Sequence, residues 1–542
     1  MDVLEPRQEF SFRGFEAAVL AIYSLLVSVL VWYHEPWSDE AQAWLIARDS
    51  SFPDLFLHRL HYEGTPGLWH ALLWIACRLH LSYAAMHWAV ALLSIATVYI
   101  LLRYGPFPLL VRGLLPFCFA LVFQTAVIAR SYSLTALLVC LLCMQMRSNS
   151  NPFLFAVLAG LLANTSIPGL VLAAGLVVVY LISFRRQPHR QWRSLAPAAV
   201  VLSLLVLFAI YTAVPPPDVT YGIGPRLAAH VPVARLLSRI TGVPIPQHPI
   251  EIPPNLDATG RPVSHVLSAR LSRALVRFLA FPLFSVSSSN LLAGLFFAVL
   301  LVWLTVQHKL YSSIPLLFTL AGAFLLSLGD HHTFLIPITV MAVAWIAWAD
   351  HAPAAASSSW NRAFVLVFAA VLVEQAAWTV HAARFDIRHP FDPGKAAAEF
   401  LLPRAPAHRI ANLAFDDTAI EPYADQNLFS NQHSAYWPWK SSEDTDSLRS
   451  IAETVRRHPD FIVDAEVRIG TVSPQKQITR AGTSWTIMGP VEPKKYVLLH
   501  QYGYFETHRF CGLQPAQFHY SRIGCDVIYE PTQVRAAAPF PE

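Results

Sequence analysis

Long apolar runs recur along this chain, and they constrain its fold more than any other feature. A run of roughly 17 to 25 apolar residues is long enough to cross a bilayer as a helix. Hydrophobic residues make up 55% of the chain and charged residues only 14%, which is more apolar than a water-soluble domain. The sequence therefore predicts a mainly α polytopic membrane protein with about 11 transmembrane helices. The predicted spans lie near residues 15–33, 83–102, 108–128, 131–147, 152–164, 168–184, 195–214, 287–306, 312–329, 333–349 and 361–382.

Basic residues in the short loops predict the orientation of these spans. The strongest marker is the group Arg185, Arg186, Arg190 and Arg193, because Lys and Arg collect in cytoplasmic loops. Counting spans outward from this loop places the N-terminus in the cytoplasm, and residues 34–82 and the C-terminal region on the extracytoplasmic side. We expect a bacterial-type inner membrane protein surrounded by membrane lipids. The net charge of +4 on 542 residues does not indicate a nucleic-acid partner.

Two units are expected from the composition. Residues 1–385 form the transmembrane unit, which is interrupted by long outer loops at 34–82 and 215–286. Short helices that lie at the membrane interface are expected in these loops. Residues 386–542 alternate between strand-like and helix-like segments, which predicts a small extracytoplasmic α/β domain. In this domain strands are expected at 408–414, 460–464 and 495–502, and a helix at 443–457.

Two of the six cysteines, Cys511 and Cys525, lie in this C-terminal unit. A short hairpin-like segment separates them, which suits a local disulfide if the unit lies outside the cytosol. Two cysteines alone do not establish a disulfide framework, so a bonded pair and a free pair both remain open.

The first outer loop carries acidic residues close to the membrane. Asp39 and Glu40 follow the first apolar run, and Glu63 lies in a Gly- and Pro-rich turn of the same loop. Carboxylates beside lipid are costly, which indicates a function. The alternative is helix capping, because acids are favoured in the first turn of a helix that begins near Ser38. Capping does not account for Glu63, which can fold back towards Asp39.

These features together resemble the GT-C superfamily of membrane glycosyltransferases. The resemblance lies in the Asp-Glu pair after the first span and in the segment EGTPGLWH at residues 63–70. The pattern is similar to that of protein O-mannosyltransferases, lipid A aminoarabinose transferases and lipopolysaccharide-core transferases. The segment ARSYSL at residues 129–134 and an outer domain after the last span agree with it. The resemblance covers roughly residues 10–385 and implies a GT-C-type bundle of helices.

The resemblance implies transfer of a sugar from a polyprenyl-phosphate carrier to an acceptor hydroxyl, with inversion at the anomeric carbon. The first-loop aspartate is the general base of such enzymes, and this role falls here on Asp39. Glu40 and Glu63 are weaker candidates that would orient the acceptor or tune the base, and His61 is expected on the acceptor side. The sequence leaves open which sugar is moved and whether a lipid, a glycan or a protein accepts it.

The leaving phosphate of such a carrier needs fixed positive charge or hydrogen-bond donors. The candidates, in order of preference, are Arg130 at the outer end of its span, the pair His331 and His332, and the basic helical face of Arg270, Arg273 and Arg277. Each also has a simpler explanation. An arginine at a span end snorkels to the interface, a histidine pair there is interfacial, and a basic helical face meets anionic head groups.

No cofactor is expected. Some GT-C enzymes hold a divalent metal with acids of the second outer loop, but residues 124–133 contain Arg130 and no acid. A metal-independent enzyme is therefore favoured, although His58, His61, Glu63 and His70 include enough ligand types for a metal site.

Two other classes of function stay open at this level. A transporter or lipid flippase would carry ionisable residues inside its spans, and Glu374 in the last apolar run is one such residue. A non-catalytic envelope assembly protein would use the outer domain to recruit a partner.

Overall fold

The computed structural model of the chain describes residues 14–146, 151–186, 193, 195–220, 281–326, 332–349, 359–471, 495, 498–499, 501–515 and 520–531. In chain order the α-helices are α1 Gly14–Tyr33, α2 Ser38–Asp49, α3 Phe52–Asp54, α4 Leu60–Glu63, α5 Leu68–Arg78, α6 Tyr83–Tyr104, α7 Leu109–Leu114, α8 Tyr132–Gln145, α9 Pro152–Ala163, α10 Ile167–Arg185, α11 Leu195–Ala213, α12 Asn290–Val306, α13 Ile314–Leu326, α14 Leu335–Ala349, α15 Ser359–Arg388, α16 Gly394–Leu401 and α17 Leu448–Arg456. Two π-helical segments occur at Leu55–Arg59 and Ala120–Val127, and a 3₁₀ segment at Asp416–Tyr423.

The apolar helices form the larger unit. Within the described ranges, α1, α6, α10, α11 and α15 are long and apolar enough to cross a membrane. The segments Leu109–Phe117 and Ala120–Val127 would make a sixth span as one bent pair, with a bend of 40°. The remaining predicted spans coincide with apolar helices of 10–17 residues. An apolar helix thus lies at each predicted position, but a full span length is reached at five or six of them, because caps and breaks divide the apolar runs.

Close packing and lipid-facing surface coexist in these helices. A Cβ added to Gly175 of α10 would lie 2.7 Å from the Cα of Pro315 in α13, so this helix crossing requires glycine. Trp303 and Phe364 stack in the interior, with ring centroids 4.2 Å apart. On α11, by contrast, Leu204 and Leu207 are more than half exposed. Exposed leucines on a long apolar helix are suited to contact with lipid chains.

Glu16 of α1 and Arg112 of α7 form an ion pair inside this unit. Arg112 contacts the Glu16 carboxylate through Nη1 and donates from Nε to the carbonyl of Phe107 at 3.0 Å. Both side chains are almost completely buried. Each member of such a pair needs the other, because an unpaired buried charge is costly.

Residues 34–82, between α1 and α6, form the short helices α2 to α5 and the π-helical segment Leu55–Arg59. Gly64, with φ 60°, ends α4 in the left-handed conformation, and the chain then enters α5. Short helices are thus present in this loop as α2 to α5, and their position at the membrane interface stays a prediction. Of the second outer loop, the structure describes only residues 215–220 and 281–286.

The C-terminal unit contains a four-stranded sheet in the order β1-β2-β4-β3. Its strands are β1 Ile410–Asn412, β2 Phe461–Thr471, β3 Tyr504–Pro515 and β4 Tyr520–Pro531. Strands β1 and β2 are parallel, and the other neighbouring pairs are antiparallel. Because helix α17 lies in the crossover between β1 and β2, the predicted α/β character is confirmed.

The strands predicted at 408–414 and 460–464 correspond to β1 and β2, and the predicted helix corresponds to α17. The strand predicted at 495–502 is wrong. Residues 495, 498, 499 and 501 are helical, and the third strand begins only at Tyr504. The error arose because a short apolar run fits a helix as well as a strand by its pattern.

Cys511 and Cys525 are bonded to each other in this structure. They are directly opposite residues of β3 and β4, with Cα atoms 4.1 Å apart. The pairing register of the hairpin therefore brings the two thiols together. A disulfide of this kind persists in oxidising compartments.

The Glu16–Arg112 pair gives a first testable prediction. Arg112→Met should lower the thermal-denaturation midpoint of the detergent-purified protein sharply, because Glu16 is left as an unpaired buried charge at a cost of about 3 to 5 kcal/mol. The double variant Glu16→Gln/Arg112→Met should recover most of that loss. A double variant as unstable as Arg112→Met alone would contradict this explanation.

Candidate active site

Asp39, at the start of α2, contacts Arg130, which follows the π-helical segment Ala120–Val127. Arg130 Nη1 lies 2.7 Å from Asp39 Oδ2. Both side chains keep about a quarter of their surface exposed, at 28% for Arg130 and 26% for Asp39. The carboxylate and the guanidinium thus lie side by side, and both remain partly accessible to solvent.

Backbone structure explains the placement of Arg130. The π-helical segment Ala120–Val127 ends just before it, and α8 begins just after it at Tyr132. The short connection has no regular structure, and the amide of Ala129 donates to Glu40 Oε1. π-Helical segments are often found at functional sites, where they change the direction of a helix.

The Glu40 side chain points into the protein interior, whereas that of Asp39 is partly exposed. Its side chain is fully buried. Oε2 accepts from the amide of Trp37 at 3.1 Å and lies 3.4 Å from His34 Nε2. His87 Nε2 lies 3.3 Å from Oε1. Because its carboxylate is fully buried, Glu40 is not placed to contact an acceptor, and a role in tuning the base stays a prediction. The capping alternative describes it better, because Glu40 closes the first turn of α2.

His34 connects Glu40 to the last long helix. Its Nδ1 lies 3.1 Å from Asp386 Oδ2 near the end of α15. Burial opposes the charge of the imidazole, but the carboxylates of Asp386 and Glu40 outweigh it and raise the pKa of His34 to about 10. Although burial alone would raise the pKa of Glu40, the charge of His34 lowers it well below its usual range. An imidazolium between two buried carboxylates therefore holds α1, α2 and α15 together.

Glu63 lies beside the Asp39–Arg130 pair. Burial raises the pKa of Glu63 to about 7, against the lowering effects of a hydrogen bond from Gln42 and the charge of Arg130. Gln42 Nε2 donates to Glu63 Oε1 at 2.8 Å. Trp439 also makes a side-chain hydrogen bond with Glu63. The predicted return of Glu63 towards Asp39 agrees with these contacts.

The C-terminal unit reaches this site through the same Gln42. The Gln42 side-chain amide donates to the Trp437 carbonyl and accepts from the Trp437 backbone N–H, both at 2.8 Å. Ser38 Oγ donates to Asp416 at 3.3 Å, and Arg48 donates to the carbonyl of Ala424 at 3.0 Å. Helix α2 is therefore attached to the C-terminal unit along most of its length.

Trp439 has a backbone conformation that is unusual for a residue with a side chain. Its φ is 50°, in the left-handed region that favours glycine. Its carbonyl accepts from the amide of Thr220 at 3.0 Å, and the Ser441 amide donates to the backbone carbonyl of Asp218 at 2.8 Å. Residues 218–220 of the second outer loop thus pair with residues 439–441. Left-handed tryptophan costs energy, and such conformations cluster at functional sites.

The structure places the remaining predicted site residues as follows. His61 Nδ1 lies 2.9 Å from the carbonyl of Val214 at the end of α11, and no described contact joins His61 to Asp39 or Arg130. The ring of His332 lies 6.4 Å from that of Tyr132, two residues after Arg130, so His332 does approach this end of the bundle. His331, Arg270, Arg273 and Arg277 lie outside the described residues.

One sequence feature, Glu374, raises the transporter alternative. Glu374 accepts from Ser287 Oγ at 2.5 Å and from the Ser288 amide at 2.8 Å, so it ties α15 to the segment before α12. This contact gives Glu374 a structural role. As for a metal site, no group of three or more His, Cys, Asp or Glu side chains in the described ranges is arranged to hold a metal ion.

Sequence reasoning missed the residues that support this site, namely His34, Asp386, Gln42, Trp437 and Trp439. His34 lies in the short segment between the first apolar run and Asp39, which is a usable local signal. Nothing in the sequence pairs it with Asp386, 352 positions later.

Comparison with known proteins adds one similarity. No protein-family model and no curated protein matches the chain. Among solved structures, the chain is similar to the crystal structure of ArnT from Cupriavidus metallidurans bound to undecaprenyl phosphate. The identity is 12%, the match covers 98% of this chain and 100% of that one, and the TM-score is 0.40. A likeness at this level carries no argument about activity, which has to come from the site.

The charged state of His34 predicts how stability depends on pH. A pKa raised from 6.5 to about 10 stabilises the fold fully below about pH 6.5, and this contribution is lost as the pH rises through about 10.

His34→Gln should therefore lower the thermal-denaturation midpoint at pH 7, and its difference from wild type should narrow steadily towards pH 10.5. His58→Gln is the control, because His58 is two-thirds exposed. A wild-type advantage that stays constant over this range would contradict the ionised state of His34.

Proposed function

We propose that this protein is a GT-C-type, inverting membrane glycosyltransferase, which moves a sugar from a polyprenyl-phosphate carrier to an acceptor hydroxyl. The observation that carries the proposal is the Asp39–Arg130 pair, with 2.7 Å between the carboxylate and the guanidinium. Transfer needs a base for the acceptor proton and positive charge for the leaving phosphate. The pair supplies both groups at an accessible position of a chain with long apolar helices.

Asp39 is the general base in this proposal. It takes the proton of the acceptor hydroxyl while the acceptor oxygen attacks the anomeric carbon. The adjacent acid, Glu40, cannot share this role because its side chain is fully buried. A base must lie within hydrogen-bond reach of the proton that it removes, and among these two acids only Asp39 is open to a substrate.

Arg130 stabilises the leaving phosphate. The bond from the anomeric carbon to the phosphate oxygen breaks, and its electron pair stays on the phosphate, which gains one negative charge. A fixed guanidinium stabilises this charge more in the transition state than in the ground state. When Arg130 turns to an entering phosphate, its contact with Asp39 is released and the carboxylate is left open to the acceptor. Donor binding would in this way prepare the base.

The acceptor would enter between the helices and the C-terminal unit. Glu63 is held there by Gln42 and Trp439, and we assign it the role of orienting the acceptor hydroxyl. The predicted topology puts this side outside the cytoplasm, and the Cys511–Cys525 bond supports that orientation. The acceptor class, whether lipid, glycan or protein, stays open, and neither a cofactor nor a metal is part of the proposal.

The role of Asp39 is tested by Asp39→Asn. Loss of a general base should lower the rate of sugar transfer in isolated membranes about 100- to 10,000-fold. The thermal-denaturation midpoint should change little, because the Asp39 side chain is partly exposed. Asp49→Asn is the matched control, since Asp49 lies on the same helix and forms a similarly exposed ion pair with Arg48. A fully active Asp39→Asn protein would rule out this mechanism.

The role of Glu63 predicts the dependence of the rate on pH. Because its pKa is about 7, Glu63 is protonated below neutrality and ionised above it. If the ionised form orients the acceptor, the wild-type transfer rate rises as the pH passes through 7. In Glu63→Gln this rise should be absent, and the rate should stay several-fold below wild type at pH 8. The same inflection in both proteins would remove Glu63 from the mechanism.

A further inference from the structure

His70 is a buried imidazole without a partner. It lies in the first turn of α5 and is 4% exposed. In the part of the chain that the structure describes, neither of its ring nitrogens has a hydrogen-bond partner. A buried polar group without a hydrogen bond costs on the order of 1 to 3 kcal/mol. Unmet hydrogen-bonding capacity at such a cost indicates that a ligand completes the site.

The residues around His70 carry further unused donors. Trp69 is 5% exposed, and its indole Nε1 has no partner among the described residues. Gly67 begins α5 without a side-chain cap, whereas the Leu68 amide donates to the carbonyl of Asn164 at 3.1 Å. No hydrogen bond is made by the amides of Trp69 and His70 within the same described part. Because helical side chains lean towards the N-terminus, these donors share one end of α5.

This end of α5 lies against the proposed active site. Trp69 belongs to the buried cluster that contains Ala43 and Trp44 of α2 and Ala129, the residue before Arg130. Burial and the charge of Arg130 lower the pKa of His70 to about 3. His70 is therefore neutral at physiological pH, with one ring N–H that can donate. Its charged neighbour is a cation, which suits an anionic ligand.

We infer that the first turn of α5 completes the phosphate site that Arg130 begins, with His70 and Trp69 donating hydrogen bonds to the phosphate of the polyprenyl carrier. The inference rests on the proposed function and names further groups that touch the substrate. A helix N-terminus with unpaired amides attracts anions. The side chains of His70 and Trp69 add buried hydrogen-bond donors at the same end of the helix. As the phosphate leaves it gains one negative charge, the acceptor proton goes to Asp39, and His70 keeps its own proton.

Binding of the product lipid tests this directly. Radiolabelled polyprenyl phosphate is titrated against the purified full-length protein in detergent, and the polyprenol that lacks the phosphate is the second probe. His70→Leu removes the imidazole donor, and Trp69→Phe removes Nε1 but keeps an aromatic ring in the cluster. His70→Asn and His70→Gln each place an amide donor near one of the ring nitrogens. His58→Leu is the control, because His58 is exposed and lies outside the site.

The expected result is that wild type binds polyprenyl phosphate and not polyprenol. His70→Leu should weaken that binding tenfold or more, Trp69→Phe several-fold, and one of the two amide variants should restore most of it. Thermal-denaturation midpoints near wild type for Trp69→Phe and the amide variants separate binding from folding.

Wild-type affinity in both His70→Leu and Trp69→Phe would overturn this inference and leave the proposed function standing. Equal binding of polyprenol and polyprenyl phosphate by wild type would also overturn it, because the site would then not recognise phosphate. A wild-type protein that neither binds polyprenyl phosphate nor transfers a sugar from it would overturn the proposed function as well.

Discussion

The site depends on the imidazolium of His34, which lies between the buried carboxylates of Glu40 and Asp386. Three buried charges are expensive, and their mutual attraction offsets the cost only while all three stay in place. The contact fixes the start of α2 against the end of α15. This contact holds the Glu40 side chain in the interior, whereas Asp39, the residue before it on the helix, is partly exposed and contacts Arg130. One buried cluster of charges thus divides two adjacent acids between a structural and a chemical role.

The C-terminal unit is the second constraint on the same helix. Gln42 exchanges two hydrogen bonds with the Trp437 backbone and also holds Glu63, so a single amide connects the sheet domain to the acid beside Asp39. Trp439, whose backbone is in the left-handed conformation, also makes a hydrogen bond with Glu63. The position of the proposed acceptor site is therefore set by residues about 400 positions apart. Substrate sites commonly lie at the interface between two such units.

Local sequence patterns predicted much of this arrangement. Apolar runs predict where the apolar helices of the described residues lie. Charged side chains beside a membrane are costly without a function, which indicates Asp39, Glu63 and Arg130. The separate role of Glu40 was not predictable, because it depends on His34 and on a partner in the last helix. Contacts between distant segments follow from tertiary packing, which no local pattern encodes. The strand predicted at 495–502 is wrong for a different reason, because a short apolar run fits a helix as well as a strand.

Asp39 and Arg130 are proposed to catalyse transfer of a sugar from a lipid phosphate to an acceptor. Sugar transfer is measured directly with purified wild-type protein in proteoliposomes. These contain a polyprenyl-phosphate sugar labelled in the sugar, and a membrane extract supplies the acceptor. The expected result is that the label leaves the lipid phosphate and appears on an acceptor. Label that stays on the lipid phosphate, whether it crosses the bilayer as in a flippase or does not move, would contradict it.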